Sequence, residues 1–552
     1  MMRVKTGTKL NTGSAVENVF EYHERTKHTT KGYAKGPELL DWDLQPNPYR
    51  IFEDAEKIPL TLDLNEVDVY YSSLYKHNDK PDNQFPLNIE SLGIMLGLAL
   101  GISAHKEYMG DRWALRCNPS SGNLHPTEAY IICQRVNGLS DGIYHYLSQD
   151  HSLQQRYKPD KQSDNNTNPM LVIGLSSISW REAWKYGERA LRYCQLDVGH
   201  AIAALNYAAA CLGWRITLLS DWGTKDIATL CGLDRLQDFN QAELENADII
   251  LSIEHKISCE KQTKPDNLLS WITKGQWNGK ANILDKYPMY SWPIIEQAEQ
   301  ATEINPINVP NAKSNNLPPV SLSEIQVPAK QIIYQRRSAQ QFDKQTVLNR
   351  DDFFILLDKC LCRSDTLPWN VNIDAAPMLL LLYVHRVDKL APGLYILGSS
   401  DNEINNIKKK NQKEFLWQKP NNTPTHLPFY LLSNTNVEKF SKSISCHQAI
   451  ASDGAFSLSM ILKFESLVTK HSMNYRKLHW QAGMLGQLLY LEAENLGLRG
   501  TGIGCFFDDA IHSNLGLTTN EYQVLYNFTI GGALNDPRIL TLPAYTHLEL
   551  NL

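Results

Sequence analysis

Apolar residues recur at helical spacing from Leu87 to Gly101, which predicts a buried helix. The run Ala129–Gln134 then reads as a strand, with Gly142–Leu147 (GIYHYL) as its hairpin partner. Met170–Ser176 is another short apolar strand, after a polar loop from Lys158 to Asn168. Helical periodicity runs from about Trp180 to Leu212, and Gly213 suits its C-cap. RITLLS and ADIILSI complete this half as strands. Residues 300–325 are rich in Pro, Asn and Ser without periodicity and read as linker. The order then repeats. Asp351–Leu361 is predicted helical, Met378–Val387 and Gly393–Leu397 as strands, and Asn474–Leu496 as a long helix capped by Gly497. Asp401–His426, rich in Lys and Asn, is expected to be a surface loop.

The repeat can be tested by register. Cys133–Tyr146 aligns without gaps on Val384–Leu397, sharing the Arg-Val, Leu, Gly and Tyr positions. The two long helices align through Gly199/Gly483 and Gly213/Gly497. Carried backward, the first register puts Pro126 on Pro377, and Ser120, Ser121 and Asn123 on Val371, Asn372 and Asp374. The second half keeps the fold signal without the polar loop of the first.

Composition works mainly by exclusion. A chain of 552 residues is too long for one core. Apolar content of 42%, charged content of 21% and a net charge of -6 describe a soluble globular protein with no general nucleic-acid footprint. Ten cysteines lack paired spacing, Cys360 and Cys362 form no zinc set, and reduced thiols in a cytoplasmic protein are expected. The start has no apolar signal core, and Leu92–Ile102 is too short to span a membrane, so no membrane partner is expected. No carboxylate or thiol set completes His23 and His28 as metal ligands.

Four stretches carry candidate chemistry. The loop RCNPSSGNLHP holds Pro119, Ser120, Ser121, Gly122 and Asn123, whose NH and OH groups could meet a flat, polar-edged ligand. RRSAQQF places Arg336, Arg337 and Ser338 where guanidinium forks and a hydroxyl suit a phosphate. GTGIGC contains Gly502 and Gly504 but lacks dinucleotide-loop spacing. WKYGERALRY offers Lys185 beside Tyr186, and burial can make such a lysine a base.

These stretches resemble the nitroreductase-like flavoenzymes, in particular the SagB/ThcOx-type dehydrogenases, as does EYHERTKH (Glu21–His28). The resemblance implies an FMN cofactor held between two subunits. Pro119, Ser120, Ser121 and Asn123 would lie against the flavin ring, and Arg336, Arg337 and Ser338 would hold phosphate and ribityl. Gln340 stands where the family carries a second basic residue, Gly502 and Gly504 pass the ring, and Arg538 matches a phosphate-binding residue. Lys185 and Tyr186 match the catalytic pair of azoline-oxidising members. In register they face Thr469 and Lys470, and YYSSLYKHND (Tyr70–Asp79) stands near the position of RRSAQQFD. Each half has thus lost what the other retains.

The expected fold is α+β: two nitroreductase-like units, each an antiparallel-rich sheet flanked by helices, fused as an intramolecular pseudo-dimer that could act as a monomer. Residues 1–60 would form an N-terminal extension, 61–260 the first unit, 261–325 a linker and 326–552 the second unit. The function implied is FMN-dependent dehydrogenation of a peptide or amino-acid-derived small molecule. Alternatives are an NAD(P)H-dependent nitro or quinone reductase and a flavin-binding scaffold of degenerate activity.

Overall fold

Two long helices, α1 (Ala190–Cys211) and α2 (Asn474–Asn495), are buried along nearly their whole length and pack on each other. They cross where the register pairs their glycines. A Cβ on Gly199 would stand 2.8 Å from the Trp480 Cα and 2.9 Å from the Gly483 Cα. A Cβ on Gly483 would stand 2.9 Å from the Gly199 Cα. The backbones meet with no side chain between them. The structure, a computed structural model, describes residues 13–76, 84–163, 168–255, 265–306, 317–411 and 414–549.

Each half builds one large antiparallel sheet, and the strand orders match. In the first half Ser152–Pro159, Gly142–Leu147, Thr127–Gln134, Met170–Ser177, Asn246–Glu254 and Arg215–Leu218 lie side by side. In the second the order is Phe429–Ser433, Gly393–Leu397, Met378–Val384, Phe456–Lys463, Tyr522–Gly531 and Arg499–Ile503. The expected α+β pair of units is what forms. The gapless register holds in detail. Tyr144 donates to Ser140 O (2.9 Å) and Tyr395 to Ala391 O (2.7 Å). Gly138 and its counterpart Lys389 both take positive φ, 77° and 56°.

The halves also exchange segments. A hairpin of Ile102–Tyr108 and Asp111–Arg116 occurs in the first half. Its outer edge is completed by Leu540–Pro543 from the second half, with Pro543 opposite Ala104. Tyr545 fixes this exchange, its hydroxyl accepting from Ile102 N (2.8 Å) and donating to Ser148 O (3.0 Å).

Several expectations are corrected. The proposed linker is largely folded: Pro265–Trp271 and Pro293–Ala301 are helices, and Gly275–Trp277 pairs with Ser152–Pro159. Leu268, Ile272, Ile294, Ile295 and Ala298 are buried, which a composition-based reading undervalued. Residues 261–264 and 307–316 of that stretch lie outside the described residues. Asp401–Lys410 is a helix, not a loop, with Ile404 and Ile407 in the core. In the N-terminal extension, Ala15–Arg25 is a helix opened by a Ser14/Glu17 capping box. Its His23 meets Gln523 (2.9 Å), and His28 accepts from Ala34 N (2.9 Å). Cys446 and Cys505 are joined as a disulfide rather than reduced. No helix among the described residues is long and apolar enough to cross a membrane.

An exposed helical glycine gains up to about 1 kcal/mol when changed to alanine. Gly199→Ala and Gly483→Ala should do the reverse, each losing roughly 1–3 kcal/mol to overpacking. Denaturant unfolding of each variant checks the sign; a higher midpoint would mean that the helices do not touch there.

Candidate active site

At the junction of the halves lies a cavity of about 950 Å³ with residues of both in its wall. The first half supplies Pro119–Asn123, Tyr186, Tyr193, Asp197 and Lys106. The second supplies Arg336–Gln340, Tyr490, Gly502–Cys505, Arg499 and Tyr526. The structure therefore brings together every predicted site residue except Lys185 and Arg538.

The polar loop's groups are tied mainly to Asp197 of α1, to the neighbouring hairpin and to one another. Asp197, on α1, accepts from Ser121 N through both oxygens (3.1 and 3.0 Å) and from Ser121 Oγ (2.9 Å). Ser120 Oγ accepts from His125 N (2.8 Å), and Asn123 Nδ2 donates to Ala114 O (3.0 Å). Gly122 makes the turn at φ +58°. These hydroxyls and amides, expected to be open toward a ligand, instead fix the shape of the loop. Burial pushes Asp197 up to about 7, with the hydrogen bonds from Ser120 and Ser121 opposing.

The arginines also differ from expectation. Arg336 is buried; its Nε donates to Cys117 O (3.0 Å) and its Nη2 to Arg116 O (2.8 Å). Arg337 Nη1 reaches Ser103 Oγ (3.0 Å), and Nη2 reaches Ser103 O (3.1 Å). Both forks clamp the second half to the first-half hairpin while lining the cavity. Lys106 and Arg499 add two further cations to the wall, and neither was singled out from sequence. Burial, with Arg337 and Arg499 nearby, lowers Lys106; burial and Arg336 bring Arg337 down to about 10. Glu494 partly balances the group, accepting from Arg337 N (3.2 Å). Cations gathered in a partly buried wall, with Lys106 and Arg337 lowered first by burial and then by neighbouring cations, suit a bound anion. Arg538, by contrast, is exposed and pairs with Asp536 (2.7 Å), which lines the cavity, so it stands at the rim without being part of the wall.

Tyrosines form much of the remaining wall. Ser338 Oγ meets the Tyr490 hydroxyl (2.8 Å), which also accepts from Gly502 N (2.9 Å). A methyl on Gly502 would run into the Tyr526 hydroxyl, and one on Gly504 into the Tyr193 ring. These glycines make room for protein tyrosines, a reason unforeseen from sequence. Tyr186 packs on Tyr193 with ring centroids 4.6 Å apart. Lys185 sits one step back, its Nζ 5.1 Å from the Trp42 ring centroid and 5.4 Å from that of Tyr186. Burial lowers its pKa, with Glu182 opposing. A cavity of this volume, cationic at one end and aromatic along its walls, fits a phosphate-bearing planar cofactor such as FMN.

The pseudo-symmetric position is closed. Asn206, the counterpart of Tyr490, donates to Asn370 Oδ1 (2.7 Å) and Pro368 O (3.1 Å). Trp369 and Val371 are buried, and their turn packs directly on Arg215–Leu218, the counterpart of the strand carrying Gly502. Beside it Lys359 and Glu492 form a buried pair (2.8 Å), and Glu492 accepts from Tyr71 (2.7 Å). Residues 77–79 of the stretch expected opposite RRSAQQFD lie outside the described residues.

A family model described as the nitroreductase family matches residues 112–242 and 333–532. A protein of Methanocaldococcus jannaschii, named as a nitroreductase, is 26% identical over 138 residues. That match covers 23% of this chain and 66% of the relative's own length, just under two thirds. A solved structure from Anabaena variabilis, described as a nitroreductase, covers 94% of this chain and 99% of its own. Its TM-score is 0.62 at 21% identity, a likeness of fold.

The raised pKa of Asp197 has a signed consequence. Between about pH 4, the ordinary carboxylate value, and about 7, the folded chain keeps a proton that the unfolded chain has released. Its contribution is full below that window and is lost as pH rises through it. The unfolding free energy of the wild type minus that of Asp197→Asn should fall across the window, by up to about 1.4 kcal/mol per pH unit, then level off. Denaturation at several pH values checks this; a flat difference would contradict it.

Proposed function

The chain belongs to the nitroreductase family, and from that premise we propose that it is an FMN-dependent oxidoreductase dehydrogenating a peptide or amino-acid-derived substrate, of the azoline-to-azole type. The observation that supports this best is the cavity whose loop comes from one half and whose cationic segment comes from the other. Lys106, Arg337 and Arg499 would meet the phosphate, with Arg336 holding the wall behind them. Ser338 and the backbone of Gly502–Gly504 would face the rest of the cofactor. FMN bound there supplies a two-electron acceptor that takes hydride at N5.

Removing a hydride equivalent from a ring carbon also requires a proton acceptor. Lys185 suits that role because burial lowers its pKa, against Glu182, and so shifts it toward the neutral amine a base needs. Tyr186 lines the cavity with Lys185 against its ring, so the phenol can orient the substrate or relay its proton. Their counterparts Thr469 and Lys470 could not act as such a pair.

A second reading is reduction of nitro or quinone compounds by NAD(P)H; the name of the Methanocaldococcus relative, a nitroreductase, favours its nitro-reducing part. The two part on the role of Lys185. Purified protein should carry about one FMN per chain, because the second position is closed; a released-flavin assay near two would refute the composite site. Lys185→Ala should keep its flavin and lose about a hundredfold or more in dehydrogenation rate. Stopped-flow reduction by NAD(P)H that is rapid in both wild type and variant would instead establish the reductase.

A further inference from the structure

The disulfide between Cys446 and Cys505 has no part in the site as described so far. The two residues are 59 apart in sequence, with Cα atoms 5.9 Å apart. Cys505 is half-buried and lines the cavity. Cys446 is also half-buried, next to exposed His447. One covalent bond therefore runs from the cavity wall toward the outer surface.

The surroundings hold Cys505 in place. The carbonyl of Gly504 accepts from Arg189 Nη2 (3.2 Å) and the Tyr193 hydroxyl (3.1 Å), both from the first half. The Cys505 carbonyl accepts from Gln448 Nε2 (3.3 Å), and Gln448 also lines the cavity. On the outer side, Cys446 and His447 take positive φ, 51° and 61°. Consecutive non-glycine residues in that region persist only where the structure around them imposes it, and such places concentrate at functional sites. Cys117, Cys133, Cys194, Cys211, Cys231 and Cys360 are buried thiols, so oxidation is not the general state of this chain's sulfurs.

We propose that Cys446–Cys505 is a redox-active disulfide that accepts an electron pair from the reduced flavin in the cavity and delivers it to an external disulfide. The proposal rests on the flavin reading above. In the first step the S–S bond breaks and takes up two electrons and two protons to give two thiols, while dihydroflavin returns to the oxidised form. In the second, the Cys446 thiolate attacks the external disulfide and releases one thiol. Cys505 then attacks the mixed disulfide, restoring the internal bond and releasing the second thiol. Atoms and electrons balance, and the substrate dehydrogenation supplies the pair.

The test uses the full-length, FMN-loaded chain without oxygen. Flavin content is measured first. The flavin is then photoreduced, thiols are trapped by alkylation, and the sites are mapped by mass spectrometry. Two newly alkylated residues, Cys446 and Cys505, are expected, whereas flavin-stripped chain under the same light should keep the bond. Reductive titration should take four electrons per chain in wild type and two in Cys446→Ser. Adding oxidised glutathione to the reduced protein should restore the bond and release glutathione. A bond that survives complete flavin reduction, or that breaks equally without flavin, overturns the proposal. A chain that takes up no flavin removes the cofactor reading itself, and this proposal falls with it.

Discussion

No side chain separates α1 from α2 where Gly199 faces Gly483, and this near-contact of two backbones sets the distance between everything else. Because the helices sit so close, Arg336 reaches across to the carbonyls of Arg116 and Cys117. The same closeness lets Tyr193 on α1 grip the carbonyl of Gly504. Packed interiors transmit such a displacement rather than absorb it. A wider crossing would part the loop carrying Ser120 from the segment carrying Ser338, and the cavity would lose one of its walls.

Around that shared axis the halves differ in a small set of side chains. Where α2 carries Tyr490, which holds Ser338 and Gly502 at the open cavity, α1 carries Asn206, which draws in Asn370 and Pro368. Where the first half inserts a hairpin between its buried helix and its PSSGN loop, the second makes a short turn through Trp369. The outcome is one open position and one filled by packed residues. Buried polar groups at the closed position are satisfied by one another: Lys359 by Glu492, and Glu492 by Tyr71. That arrangement avoids the penalty of isolated buried charge.

The sequence made the architecture legible because a hydrophobic period and a gapless register survive divergence. Gly199 and Gly483 could be paired from register alone, although not seen as a contact. The composite nature of the site was also readable, since its two polar segments occur in different halves. What escaped was the direction of side chains. Nothing in RRSAQQF says that its guanidinium groups turn toward Cys117 and Ser103. Lys106 lies in an alternating hairpin with no motif around it, and Arg499 precedes the glycines that drew attention. Asp197 had a usable signal: it is the one acidic residue of the long helix Ala190–Cys211, facing Gln481 in register. The Cys446–Cys505 pair had none, because 59 residues separate its members.

The strand Leu540–Pro543 bears on how the molecule is made. It completes the edge of a hairpin begun at Ile102, and Tyr545 closes the junction across 443 residues. Loop-closure entropy grows only slowly with length, so the finished fold tolerates such a distance. Synthesis on the ribosome imposes an order on it. Until residues 540–545 emerge, the hairpin bearing Lys106 exposes an unpaired edge, the kind of surface through which nascent chains associate wrongly. The wall of the cavity is thus finished only after residues 540–545 have been made, and a chain lacking them would betray itself by that open edge before it could hold a cofactor.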